Sequence, residues 1–355
     1  MEAVIDMKVI KTEKSRRNEV SLENLPFGKV FTDHMLEVDY KDGQWQQPVI
    51  KPFQPISLLP SNLALHYGQS IFEGIKAFRF PTGEAFIFRP FDNFHRFNIS
   101  AARMMMPEIP EDLFIEGMRR VIELDINWIP QMPNHSLYIR PFMFATDEAI
   151  GVKPSATYKF MILLSPSGPY YAKPMRIYVE EHFVRAAPGG TGFAKCAGNY
   201  AASLLAFAEA NRKGYDQVLW MDALEHKYVQ EMGTMNVFFI IGNTAITPNL
   251  DGSILEGVTR SSVITLLQEM GLAVEERLLH IDEIVASYKA GTLREAFGVG
   301  TAATISPIKL LSYGGLDMAM DVDSWTVSPE VKRRLDAIRE GRADDVHQWL
   351  FPVNA

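Results

Sequence analysis

Between two strand-like apolar runs, Phe160 to Leu164 and Arg176 to Val184, the chain reads Ser165-Pro-Ser-Gly-Pro-Tyr-Tyr-Ala-Lys-Pro174. Proline fixes φ and cannot donate to a ladder, so no sheet core continues through three prolines and a glycine so closely spaced. The chain is therefore expected to fold as two bodies: residues 1–168, a connector at 169–174, and residues 175–355. With 47% hydrophobic and 22% charged residues in 355, it has enough apolar material for two cores.

The formal net charge of -8 argues against a nucleic-acid footprint and leaves small molecules as the expected partners. The single cysteine, Cys196, excludes an intrachain disulfide and a multi-cysteine zinc site, and no metal site is expected. No apolar run approaches the roughly 18 residues of a membrane span; the longest candidate, Val237 to Ile241, is strand-sized. Residues 1–20 mix acids with basic residues and lack a cleavage-site pattern, so they read as mature protein and a cytoplasmic location is expected.

Before the connector, strand patterns at Phe31 to Glu37 and Ala85 to Phe88 alternate with the turn signals Lys41-Asp42-Gly43 and Pro81-Thr82-Gly83. Helices are expected over Phe91 to Met105 and Glu111 to Leu124, followed by buried strands over Leu137 to Phe144 and Phe160 to Leu164. After it come a helix over Ala201 to Asn211 and hairpins at Val218 to Glu231, Asn236 to Pro248 and Arg294 to Leu311. Helices at Thr259 to Met270, at Ile281 to Ala290 and from Ser328-Pro329-Glu330 complete the pattern.

One stretch carries chemistry. In Gly189-Gly-Thr-Gly-Phe-Ala-Lys-Cys-Ala-Gly-Asn-Tyr200, Lys195 sits among small and apolar neighbours, where partial desolvation lowers a lysine pKa and exposes a nucleophilic amine. The same stretch also reads as a phosphate-cradling glycine turn, or as a mobile loop with a solvated lysine. Glu231, in Glu231-Met-Gly-Thr-Met-Asn236, reads by itself as a solvated strand-end acid. Gly257-Val258-Thr259 precedes a helix, whose free N–H groups either hold a phosphate or are simply capped. The turn at Gly300-Thr301-Ala302 offers amides for a carboxylate, and Arg89 reads as a solvated arginine after an apolar strand. An amine for an aldehyde, an acid for a ring nitrogen, and a helix start with an arginine for a phosphate are the three handles of pyridoxal 5′-phosphate.

With those residues the sequence resembles the branched-chain amino-acid aminotransferases, fold type IV pyridoxal-phosphate enzymes. The matching stretches include Phe31-Thr-Asp-His-Met35, His66 to Phe78, Phe88-Arg-Pro90, Leu137-Tyr-Ile-Arg-Pro141, Gly168-Pro-Tyr170, Lys195 to Tyr200, Glu231 to Asn236, Ile254 to Arg260 and Gly300-Thr-Ala302. The set is closest to the long, animal-like branch. The resemblance implies an α+β fold with a smaller N-terminal α/β domain and a larger C-terminal domain of antiparallel-rich sheet or barrel with helices. It implies transamination between leucine, isoleucine or valine and 2-oxoglutarate by a ping-pong mechanism, as in branched-chain amino-acid biosynthesis, with Lys195 forming the aldimine and moving the proton.

By the same resemblance Glu231 pairs with the ring nitrogen and Tyr200 bonds the phenolic oxygen. Arg89, Val258, Thr259 and the Thr301 side chain hold the phosphate, Leu255 packs on the ring, and Thr234 and Gly257 complete the cofactor set. The substrate carboxylate falls to the Thr301 and Ala302 amides, and its side chain to Phe27, Phe72, Tyr138 and Tyr170. Arg140 receives the second carboxylate of glutamate, while Tyr67 and Val152 enter a neighbouring subunit's site, implying a homodimer.

Two positions depart from the family. Ala303 and Ser306 stand where mammalian relatives carry a Cys-x-x-Cys pair, which excludes a thiol switch there, and Ala197 replaces a second glycine. D-amino-acid aminotransferase and aminodeoxychorismate lyase share the lysine and glutamate but have shorter N-terminal regions. A non-catalytic phosphate-ligand module, or an oxidoreductase on Gly189-Gly-Thr-Gly192, is the reading from another class; that turn lacks full G-x-G-x-x-G spacing.

Overall fold

The structure, a computed structural model, describes residues 5–23, 25–168 and 173–354. By contacts it divides into two units, Met1–Tyr170 with Ala194–Ala197 and Ile338–Ala355, and Tyr171–Phe193 with Gly198–Ala337. Runs of paired strands with helices set beside them make the fold α+β.

In the first unit the chain forms β1 (Lys8–Val9), β2 (His34–Lys41), β3 (Gln44–Trp45), β4 (Val49–Pro52), α1 (Leu63–Tyr67), β5 (Ser70–Phe72), β6 (Ile75–Arg79) and β7 (Ala85–Phe88). After α2 (Pro90–Arg103) and α3 (Glu111–Leu124) come β8 (Ser136–Ala145) and β9 (Tyr158–Ser167). The sheet order is β1-β4-β2-β9-β8-β6-β7, with the late strand Leu350–Pro352 antiparallel to β7 at its edge. The expected turns join their strands: Asp42 and Gly43 connect β2 to β3, both with positive φ, and Gly83 at φ 103 lies between β6 and β7. Phe97, Phe114, Met118 and Val121 of the two helices are buried in one cluster with Leu36 and Phe160 of the sheet. β8 and β9 pair over their full length, from Ser136↔Ser167 to Ala145↔Tyr158, with no exposed position in either strand.

β9 runs on through Ser165 and Pro166 to Ser167, which the connector reading had placed outside the strand. Beyond Leu36↔Ile162 it no longer has β2 beside it, so Pro166 sits in edge-like surroundings, where a missing donor is tolerated. Tyr170, expected in the substrate pocket, lies outside the described residues.

In the second unit, β10 (Met175–Val179) precedes α4 (Ala197–Ala202), α5 (Leu204–Arg212), β11 (Gln217–Met221), β12 (Val229–Met232), β13 (Asn236–Ile241) and β14 (Thr244–Thr247). α6 (Val258–Glu269), β15 (Ala273–Glu276), α7 (Ile281–Lys289), β16 (Leu293–Gly300), β17 (Thr304–Tyr313), β18 (Leu316–Ala319) and α8 (Val327–Arg339) follow. The order β12-β11-β10-β17-β16-β13-β14-β15 mixes antiparallel hairpins with parallel pairs of β10 to β11 and to β17.

Two expected elements differ. The strand expected to Val184 stops at Val179, because the Glu180 carboxylate accepts the His182 and Phe183 amides at 2.9 and 3.0 Å and turns the chain. The single helix Ala201 to Asn211 is two helices. At the break, the Ser203 hydroxyl donates to the Tyr200 carbonyl at 2.7 Å and so competes with the helical ladder.

Candidate active site

In the first unit Lys195 is fixed through its backbone. Its N–H donates to Ser100 Oγ at 2.9 Å, and its carbonyl accepts from Phe72 N at 3.0 Å, stitching the lysine segment to α2 and β5. The ammonium Nζ lies 5.1 Å from the centre of the Phe72 ring, a cation-π distance. Cys196, beside it, is buried.

On the same side of the molecule's first sheet, strand alternation places Tyr138 and Arg140 of β8 on one face, and Arg140 Nη2 donates to the Tyr138 hydroxyl at 3.0 Å. The guanidinium carbon lies 4.6 Å from the Phe72 ring centre and 5.3 Å from that of Tyr138. Phe27 meets Tyr138 edge-on at 4.9 Å. The structure thus brings Phe27, Phe72, Tyr138, Arg140 and Lys195 into one aromatic and cationic cluster. Arg140 Nε is buried with no hydrogen-bond partner, a donor left for an incoming acceptor. Gly74 is required here, since a Cβ on it would lie 2.2 Å from the Tyr138 hydroxyl.

Arg89 stands elsewhere in this unit, at the start of α2 in a left-handed conformation with φ 49, uncommon for a residue with a side chain. Its reading as a solvated arginine is corrected: the side chain is 12% exposed and paired with both oxygens of Asp92 at 2.9 and 2.8 Å. Its backbone N–H donates to the Trp349 carbonyl at 2.7 Å. Tyr67 and Val152 are exposed, 42% and 87%, on segments tied together by the Asn62–Glu148 bridge and by Leu63 N donating to Asp147 O.

In the second unit, Glu231 is the penultimate residue of β12 and Gly233-Thr234 turns the chain into β13, with Gly233 at φ 57 and Met232 and Met235 exchanging amide bonds at 2.8 and 2.9 Å. Glu231 is buried, which corrects its reading as a solvated acid. The Arg185 Nε stands 2.7 Å from its Oε2 in an ion pair whose N–H points off the contact, and Asn236 Nδ2 donates to Oε1 at 3.1 Å. Asn236 also donates to the Leu255 carbonyl at 2.9 Å, and a Cβ on Gly257 would lie 2.0 Å from its Oδ1. One amide thereby ties the acid to the start of α6. There Gly257 is the N-cap, makes no side-chain cap bond, and leads into the buried Val258 and Thr259.

The Thr301-Ala302 turn joins β16 to β17 and closes on Thr304 at φ 63, a conformation costly for a β-branched residue. Tyr200 lies in α4, half-buried. Gly192 has a packing reason that needs no dinucleotide: a Cβ on it would run into the Ser253 carbonyl.

The sequence from residue 70 to 311 matches the family model of class IV amino-transferases, and this span covers more than half of the chain. The chain belongs to that family. It is an aminotransferase of the branched-chain-amino-acid group and shares the fold of type IV enzymes. It is 46% identical over 352–354 residues to relatives such as branched-chain-amino-acid transaminase 1 of Bacillus subtilis, where the alignment covers 98% of this chain and 99% of the relative. The Escherichia coli branched-chain amino acid aminotransferase structure superposes with a TM-score of 0.75 at 27% identity, covering 91% of this chain and 99% of that one. The T.th. branched-chain amino acid aminotransferase complexed with N-(5′-phosphopyridoxyl)-L-glutamate gives 0.73 at 26%, covering 92% and 100%.

Three residues escaped the sequence reading of this aminotransferase. Asn236 was visible only as the last letter of the acidic motif. Arg185 and Ser100 carry no local signal, because what makes them matter is a partner on a different element.

Proposed function

We propose that this chain transfers the amino group of leucine, isoleucine or valine to 2-oxoglutarate with pyridoxal 5′-phosphate, in two half-reactions at one site. The donor set suits that cofactor. A buried carboxylate held between Arg185 and Asn236 fits a ring nitrogen, and a glycine-capped start of a twelve-residue helix fits a phosphate. When bound, the cofactor supplies an electron sink for the charge left on the substrate's alpha carbon.

The chain's own residues do the rest. Lys195, its backbone fixed by Ser100 and Phe72, supplies the amine that attaches the cofactor and moves the proton at the alpha carbon. Glu231 holds a proton on the ring nitrogen, and Tyr200 donates to the phenolic oxygen. Arg89, Gly257, Val258, Thr259 and Thr301 take the phosphate, with Thr234 and Leu255 around the ring. The Thr301 and Ala302 amides orient the substrate carboxylate, and Tyr170 adds to its pocket.

The observation that carries the substrate reading is the cluster on β8. Its aromatic rings give leucine an apolar wall, and the unpartnered Arg140 Nε awaits the second carboxylate of glutamate. Three additional carbons in leucine over alanine, at ~0.8 kcal/mol each, favour it by about 2.4 kcal/mol, a factor of several tens. Exposed Tyr67 and Val152, beside exposed Leu65 and Ile150, support a homodimer. No helix among the described residues is long and apolar enough to cross a membrane, which is consistent with the cytoplasmic location we infer.

The test is a single half-reaction. Purified protein mixed with leucine alone should release one equivalent of the oxo acid while its visible absorption shifts, and 2-oxoglutarate should restore the original spectrum. Borohydride should bleach the wild type, whereas Lys195→Ala should be neither bleached nor active. Catalysis that needs both substrates present together would overturn the two-step account.

A further inference from the structure

The motif Phe31-Thr-Asp-His-Met35 has no role in the reaction described above, yet its polar members are all but sealed from solvent: Thr32 is 0% and Asp33 and His34 are each 6% exposed. The contacts explain why. Asp33 collects three donors, Ser15 Oγ at 2.5 Å, Arg16 N at 2.9 Å and the indole Nε1 of buried Trp128 at 2.8 Å. Arg16 answers from its other end, its Nη2 donating to the Phe31 and Thr32 carbonyls at 3.2 and 2.8 Å. His34 Nε2 accepts the Thr12 amide at 3.0 Å while Nδ1 faces Asp125 Oδ1 at 2.7 Å, which makes the imidazole the donor to Asp125. Residues 12–16 are thus buckled to residues 31–34, and Arg17 continues the clasp by donating to the Asn127 carbonyl at 2.9 Å.

Phe27 lies in the chain between the two sides of this clasp, at a turn over residues 27–29. Gly28 at φ 68 and the Lys29 amide on the Pro26 carbonyl at 3.3 Å present that ring edge-on to Tyr138. Closing a loop at its base restricts where its tip can go, and partly buried Val20 and Val30 add apolar anchoring on either side. We infer that the Arg16–Asp33 clasp is a specificity-determining positioning device: it holds Phe27 against Tyr138 so that the wall for the branched side chain is already built when substrate arrives. This rests on the reading of Phe27 as part of the substrate pocket.

Arg16 is the residue to change, because its side chain is 48% exposed and its replacement removes the carbonyl grip without opening the Trp128 core. In the holoenzyme, Arg16→Met should raise the KM for leucine by about three- to tenfold, the range of one ordinary positioning hydrogen bond, with kcat little changed. Arg16→Lys should recover part of the loss. Amide exchange over residues 25–31 should quicken while α2 and β8 stay protected. The decisive measurement is the double variant: if the clasp acts through Phe27, Arg16→Met in a Phe27→Ala background should add nothing to the leucine KM. Independent, additive losses, or unchanged exchange in the loop, would overturn the clasp and leave the pocket reading standing. An unchanged leucine KM in Phe27→Ala alone would instead remove Phe27 from the pocket, and the proposal with it.

Discussion

On the proposed reading, Arg140 meets two substrates of opposite character with one side chain. Its flat guanidinium lies against Phe72 and reaches the Tyr138 hydroxyl, so its charge is partly satisfied by π faces when an apolar side chain is present. Arg140→Met keeps that packing and removes the cation. It should raise the KM for glutamate and 2-oxoglutarate by at least about tenfold while changing that for leucine much less, in steady-state kinetics with each substrate; equal losses would make Arg140 structural. Glu231 presents the converse case, a buried anion between Arg185 and Asn236. Glu231→Gln should retain the cofactor yet lose most of its turnover, about 100-fold or more, since a neutral partner no longer favours a protonated ring nitrogen. Near-normal rates in that variant would remove Glu231 from the mechanism.

At the scale of elements, α6 begins on a glycine that has φ -76, a value any residue adopts, so its need for glycine comes from contact alone. A methyl group there would meet Asn236 Oδ1 at 2.0 Å and Arg260 Cβ at 3.1 Å. Gly257→Ala should therefore cost about 1–3 kcal/mol by overpacking, and should weaken binding of pyridoxal phosphate more than that of unphosphorylated pyridoxal, read as ligand-induced shifts in Tm. Such elements were unevenly legible. The hairpins at Asp42-Gly43, Gly242-Asn243 and Gly300 to Thr304 follow from local turn chemistry, and α3 follows from its own periodicity. The two-residue strand β1 exists only through pairing with the distant β4, so no local pattern marks it. The same distinction divides the site. Lys195 and Glu231 stand in motifs singled out by the family resemblance, Glu231 reading locally as no more than a solvated acid, whereas the partners that hold them, Ser100 and Arg185, became apparent only from the folded contacts.

For the molecule as a whole, acid should be the vulnerable side. Burial pushes the carboxyl of Asp33 up, but Ser15, the Arg16 amide, Trp128 and the Arg16 charge together hold it below its ordinary value; Glu37 is lowered in the same way by Lys159 and Lys51, which offset its burial. Asp147 and Asp222 are likewise lowered against burial, chiefly by backbone amides, with Thr157 and Lys153 adding to the former. A carboxylate whose folded pKa is depressed contributes stability that is fully present above its unfolded pKa near 4 and is lost as pH falls through that value toward the folded one. Thermal melts should hold a steady Tm from neutrality to about pH 5 and fall steeply below about pH 4. Asp33→Asn should lower the Tm at neutral pH and make that acid decline shallower.

The strand Leu350–Pro352 closes the edge of the first sheet on β7, and Trp349 just before it supplies the carbonyl that receives the Arg89 amide. The arginine assigned to the phosphate is thus tethered by a segment made only after the whole second unit has been synthesised. On the ribosome, the first sheet must wait with β7 uncovered through all of that elongation, so the nascent chain carries an open edge for longer than its local pairing would require. Completion of the catalyst is in this sense timed by translation, and a neighbouring nascent chain offering the same strand is its natural competitor.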